Sequence, residues 1–190
     1  RGSLEFTCTD EPAQNNYNTV TVPIIMKKPE YKSHNLNNYS EQGTDTIGTC
    51  TKTYKFTVPE KVADSQLVLV MSNHGANSKG EEYNRRLHLI YFNDEIISTF
   101  TPGGKSCEPY RYKNTQANGI YGQSKKNDRQ WAASSNWCPG DAIPVRYFEL
   151  GALEAGEYEV MIRVPEAVFN AQQGDFPVSM YFQGLQAGDL

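Results

Sequence analysis

Where apolar residues recur periodically along the chain, the period is two rather than 3.6. Tyr54, Phe56 and Val58 alternate with Thr53, Lys55 and Thr57, and Tyr158, Val160, Ile162 and Val164 alternate with Glu157, Glu159 and Arg163. That spacing places one set of side chains on a buried sheet face and the other in water. Six further runs rich in β-branched and aromatic residues read as strands: Val20 to Met26, Leu67 to Met71, Leu87 to Phe92, Ile96 to Phe100, Val145 to Leu150 and Val178 to Phe182. Asn93-Asp94 tolerates the left-handed backbone of a tight hairpin, so the runs on either side of it should pair antiparallel. No comparable run has helical spacing. Eight short strands without a long helix cannot bury their apolar faces in a single sheet, which predicts an all-β fold, an antiparallel eight-stranded jelly-roll sandwich.

Two connections are too long for tight turns: Lys27 to Gly48 and Thr101 to Ala142. Long loops in a compact domain are usually functional or disordered. The second holds Cys107, Trp131, Trp137 and Cys138. Leu4 to Thr9 reads as a short strand and Asp10 to Asn18 as a polar linker, although the first six residues also read as an expression remnant. The expected organisation is an extension over residues 1–16, the last strand of a preceding domain on one reading, followed by the jelly roll over 17–190.

Composition narrows the function. With 18 basic and 22 acidic residues among 190, the net charge is −4. No dense basic run is present to displace counterions from phosphates, which argues against nucleic acid as a partner. Nor does any stretch approach the roughly 18 apolar residues of a membrane span. Four cysteines, Cys8, Cys50, Cys107 and Cys138, form no C-x-x-C pair. An even count fits two disulfides and a secreted or periplasmic setting, with three pairings open. His34, His74 and His88 are too scattered to share a metal, so no metal is expected and the three read as hydrogen-bonding side chains.

Two patterns stand out as chemistry. In Glu81-Glu82-Tyr83-Asn84-Arg85-Arg86-Leu87-His88, carboxylates gather beside guanidinium groups at the entry of a strand. On an extended strand Glu82, Arg86 and His88 share a face, so Arg86 would hold Glu82 ionised, as a site carboxylate or as a solvated ion pair. The other pattern is Trp131 followed by Trp137-Cys138-Pro139-Gly140. An indole on a loop either packs or binds, and its face suits the apolar side of a sugar ring.

Ser72-Asn73-His74-Gly75, Glu82 with Arg86 and His88, Cys107, Trp131 and the Trp137-Cys138-Pro139-Gly140 string together resemble the second jelly-roll domain of the peptide-N-glycosidase F family, from about Tyr17 to about Gly184. The resemblance implies the C-terminal part of an exported amidase that hydrolyses the bond between N-acetylglucosamine and asparagine in N-linked glycoproteins, without a cofactor. A first jelly-roll domain would supply the essential aspartate across a cleft, so this chain alone would be inactive. Glu82 matches the second-domain catalytic glutamate that binds water at the reacting amide, and Trp137 a tryptophan lining the chitobiose pocket. Cys107 and Cys138 match a disulfide stapling the long loop, with Cys8 and Cys50 as the second pair. The chain departs from the pattern in four places. His74, assigned to substrate binding, stands where the family has tryptophan, and Ser134-Ser135 where it has arginine, both altering sugar contacts. Gly80 and Asn84 replace cysteines flanking the glutamate. The rival reading is a non-catalytic jelly-roll module binding glycan or protein.

Overall fold

A computed structural model describes residues 19–26, 35–36, 48, 50–74, 81–114, 124–134, 136–168 and 174–186. Eight strands form two antiparallel sheets of four. One has the order β1 (Thr19–Met26), β10 (Val178–Gln186), β4 (Val62–Met71), β7 (Val145–Glu149). The other runs β3 (Thr51–Val58), β8 (Gly156–Arg163), β5 (His88–Phe92), β6 (Glu95–Phe100). Each of the eight predicted runs lies on one of these strands. The two residues of β2 (Asn35–Leu36) pair in parallel with those of β9 (Gly174–Asp175), an addition that the pattern did not announce.

The alternation produces the layers. On β3, Tyr54, Phe56 and Val58 are buried while Thr53, Lys55 and Thr57 face water. Phe56 and Phe182 meet between the sheets with ring centroids 5.6 Å apart, and Val58, Leu67, Leu69, Ile90, Val160, Ile162 and Met180 complete an interior closed to solvent. Burial of this kind stabilises by about 25 cal/mol per Å² of apolar surface and needs no directional contact. Asn93 and Asp94 adopt positive φ of 45° and 67° between Phe92 and Glu95, the two-residue hairpin expected of them.

Among the described residues the long second loop is not wholly irregular. It contains a 3-10 helix, Glu108–Lys113, and a two-turn α-helix, Asp128–Ser134. The helix is too short to show a period of 3.6, and its N-terminus is set by side-chain bonds: Asn127 Oδ1 accepts from Gln130 N at 3.0 Å, and Gln130 Oε1 from Asn127 N at 2.9 Å. Leu4 to Thr9, Cys8, His34, Gly80 and most of Lys27 to Gly48 lie outside the described residues.

Candidate functional site

Three chain segments meet at one end of the sandwich: Ser72 to His74 at the end of β4, the turn Glu81 to Asn84 ahead of β5, and Asn136 to Cys138 of the second long loop. The extended reading of Glu82, Arg86 and His88 is corrected here. Residues 81–84 form a turn and the strand begins only at His88. In a turn the side-chain direction no longer alternates, and the carboxylate that goes inward is Glu81. Fully buried, it takes Arg86 Nε and Nη2 at 3.1 and 3.2 Å and also accepts from Val168 N at 3.0 Å. A bidentate guanidinium and a backbone donor are what a carboxylate needs to remain inside. The ion pair assigned to Glu82 therefore belongs to Glu81, and it anchors the turn from beneath.

Glu82 is left partly exposed beside Tyr83 and His74. Burial pushes the Tyr83 hydroxyl above its usual pKa, and the Glu82 charge and a hydrogen bond to Glu82 push it the same way. The hydroxyl thus donates to the carboxylate. Burial lowers the pKa of His74 against the opposing pull of Glu82, so its ring is neutral at pH 7. His74 Nε2 and Ser72 Oγ are hydrogen-bonded at 2.8 Å. The ring lies 5.3 Å from that of Trp137 at an angle of 45°, and Trp137 Nε1 donates to Asn73 O at 2.9 Å. Glu82, His74 and Trp137 thus gather from positions up to 63 residues apart, a carboxylate beside a neutral imidazole and a half-buried indole.

The two tryptophans divide between the two uses left open for them. Trp131 is fully buried against the Cys107–Cys138 disulfide, with Tyr83 and Tyr110 packed around it. It is the core of the loop, and only Trp137 is half-exposed. The bond between Cys107 and Cys138 is the one implied by the resemblance. Cys50 is buried in the sandwich interior, and its expected partner Cys8 lies outside the described residues. In Cys138-Pro139-Gly140-Asp141 the chain reverses, with Asp141 N donating to Cys138 O at 3.0 Å and Gly140 at φ 88°. Proline second and a positive-φ glycine third make a type II turn. A Cβ on Gly140 would come within 2.8 Å of Lys113 Cβ, so the loop closes there only without a side chain.

Several residues of this end carried no separable sequence signal. Arg85 donates from Nε to Pro102 O at 2.7 Å and from Nη1 to Ala132 O at 2.6 Å, tying the short helix to the strand entry. Asn136 donates to the carbonyls of the Glu82 turn. His88 is fully buried, its Nδ1–H donating to Arg86 O at 2.9 Å and its ring stacked on Phe100. It is thus interior and not part of the exposed site.

Residues 38–183 match the family model described as Peptide-N-glycosidase F, C terminal. No curated protein matches the chain. A solved structure of PNGF-II is similar over 92% of this chain and 31% of its own, at 21% identity and a TM-score of 0.62. A crystal structure of peptide-N(4)-(N-acetyl-beta-D-glucosaminyl) asparagine amidase covers 90% of this chain and 53% of its own, at 21% identity and a TM-score of 0.58. PNGase F, a glycosylasparaginase from Flavobacterium meningosepticum, covers 88% and 52%, at 20% identity and a TM-score of 0.55. At such identities the likeness is one of fold. The chain spans about a third to a half of the length of these solved proteins.

Proposed function

The chain belongs to the peptide-N-glycosidase F C-terminal family, and from that premise we propose that it is the C-terminal jelly roll of an exported amidase acting on N-linked glycoproteins. The observation that carries the reading is the convergence of Glu82, His74 and Trp137 at one end of the sandwich. In this reading the indole of Trp137 takes the apolar face of the first sugars, and His74, neutral, offers a ring nitrogen to a sugar hydroxyl. Glu82 accepts a hydrogen bond from the water that attacks the side-chain amide carbonyl of the glycosylated asparagine. Water oxygen replaces the amide nitrogen, so asparagine leaves as aspartate and the sugar departs with the nitrogen. A preceding jelly-roll domain supplies the aspartate, and the site is complete only when the two share a cleft. No cofactor enters the scheme. The Cys107–Cys138 disulfide fits an oxidising compartment, in keeping with export.

The test is mass spectrometry of a denatured N-glycopeptide incubated with this chain and, separately, with the gene's full-length product. Glycan loss with a mass gain of about 1 Da at asparagine is expected from the full-length product only. Glu82→Gln in that product should lower turnover by about 10²- to 10⁴-fold, the range for loss of a group that handles protons in the transition state. Unchanged glycopeptide with every glycan type tried would end the amidase reading. Retained glycan binding that needs Trp137 and tolerates Glu82→Gln would identify a non-catalytic binding module in its place.

A further inference from the structure

Residues 136, 137 and 138 each tie a different segment of the site to the same stretch of chain. Asn136, only 6% exposed, directs Nδ2 at three backbone carbonyls, those of Glu81 at 2.7 Å, Glu82 at 2.7 Å and Asn84 at 3.0 Å. Trp137 Nε1 donates to Asn73 O, next to His74. Cys138 is bonded to Cys107. An amide nitrogen carries two hydrogens, so the three carbonyls curl around one donor group and the turn closes on it. One of those carbonyls is Glu82's own, which fixes the backbone from which the Glu82 carboxylate reaches out. Glu81 holds the turn from below through Arg86 and Val168, whereas removing Asn136 takes the same donor from three of the turn's carbonyls at once, so the turn loosens on the side that carries Glu82.

We propose that Asn136 is a positioning residue that sets where the Glu82 carboxylate stands relative to the Trp137 indole. Its neighbour in sequence touches the sugar and its side chain grips the turn that carries the carboxylate, so the distance between the two is fixed by one residue of backbone. The link to glycan chemistry rests on the function proposed above, whereas the grip on the turn does not.

The experiment uses Asn136→Ala, with Asn136→Asp as a second variant that keeps the shape and replaces the amide donors with acceptors. In the full-length product, Asn136→Ala should lower kcat by about 10- to 100-fold, the cost of misplacing a reacting group by about an ångström. KM should change by less than about twofold. In a double-mutant cycle, Asn136→Ala should add nothing to Glu82→Gln, because it acts through that side chain. Hydrogen exchange in the chain itself should accelerate at residues 82–86 by at least about tenfold and stay unchanged in β8 and β10. Losses that add in the cycle, or exchange that accelerates equally through the sheets, would overturn the proposal and leave Asn136 a general stability residue. If the wild-type product cleaves no glycopeptide, the amidase reading falls by itself. The grip is then decided by exchange together with the carboxyl carbon NMR resonance of Glu82, which moves on Asn136→Ala if the amide positions it and stays in place if it does not. Should Asn136→Ala fail to fold, the same measurements on Asn136→Asp decide.

Discussion

Between the sheets, Phe56, Phe182, Leu67, Leu69, Ile162 and Met180 pack without a hydrogen bond among their side chains, while at the Glu82 end the fully buried Glu81 and nearly buried Asn136 accept or donate six. The first region depends on volume, and one apolar residue of similar size substitutes for another at modest cost. The second depends on individual donors and acceptors, since a buried polar atom deprived of its partner forfeits its hydration as well as its bond. A fold can therefore keep its sandwich while the geometry of this end drifts.

The comparison breaks first in the interior. Phe182→Ala should cost about 3–5 kcal/mol of unfolding free energy in urea, by lost transfer and a residual cavity where Phe56 now meets it. Exchange protection should fall together in both sheets. A loss below about 1 kcal/mol, beneath the range for such truncations, would mean that the interior collapses around the gap and is not packed as described.

The disulfide comes next. Cys107 and Cys138 are separated by 31 residues, so replacing both by serine should lower stability by about 3–4 kcal/mol through the freed unfolded chain. The sharper readout is where the loosening starts. Trp131 and the loop from Cys107 to Asp141 should gain exchange before β10 does, because the disulfide holds the polar end and not the sheets. Simultaneous loss in β10 would show that the two regions form one cooperative unit.

His88 sits at the seam, and its effect is the smallest of the three. Burial, with a smaller contribution from the Arg146 charge, outweighs the hydrogen bond to Arg86 O and lowers its pKa from 6.5 to about 4. A group whose folded pKa is depressed stabilises fully above its unfolded value and loses that contribution as pH falls through the folded one. Stability should therefore decline between about pH 6.5 and 4, by as much as about 3 kcal/mol from this residue. Urea unfolding at pH 7 and pH 4 checks it, with His88→Gln removing this part of the slope. A wild-type minus variant difference that is flat in pH would show that the ring titrates alike in folded and unfolded chains.

The strands were legible because a period of two in β-branched and aromatic residues has few other physical readings, and the Asn93-Asp94 hairpin because so few residue pairs accept positive φ in succession. The short helix at Asp128–Ser134 was not, since seven residues hold barely two turns and stability there comes from burial of Trp131. The candidate site was legible in composition but not in geometry. Glu81 and Glu82 are adjacent and identical, and which one turns inward depends on whether the backbone there is extended or turned. Extended spacing pairs Arg86 with Glu82, and the turn pairs it with Glu81.

By itself, then, the sequence determined the class of fold, the number of strands in the two sheets and, on β3, which residues face the apolar interior, because each follows from local periodicity and the need to bury one face. Only the tertiary structure decided which carboxylate is a buried anchor and which is left partly exposed, which tryptophan is core and which is half-exposed, and that Asn136 holds the turn. These depend on contacts among segments that loops bring together from tens of residues apart, where neither spacing nor composition carries the direction in which a side chain points.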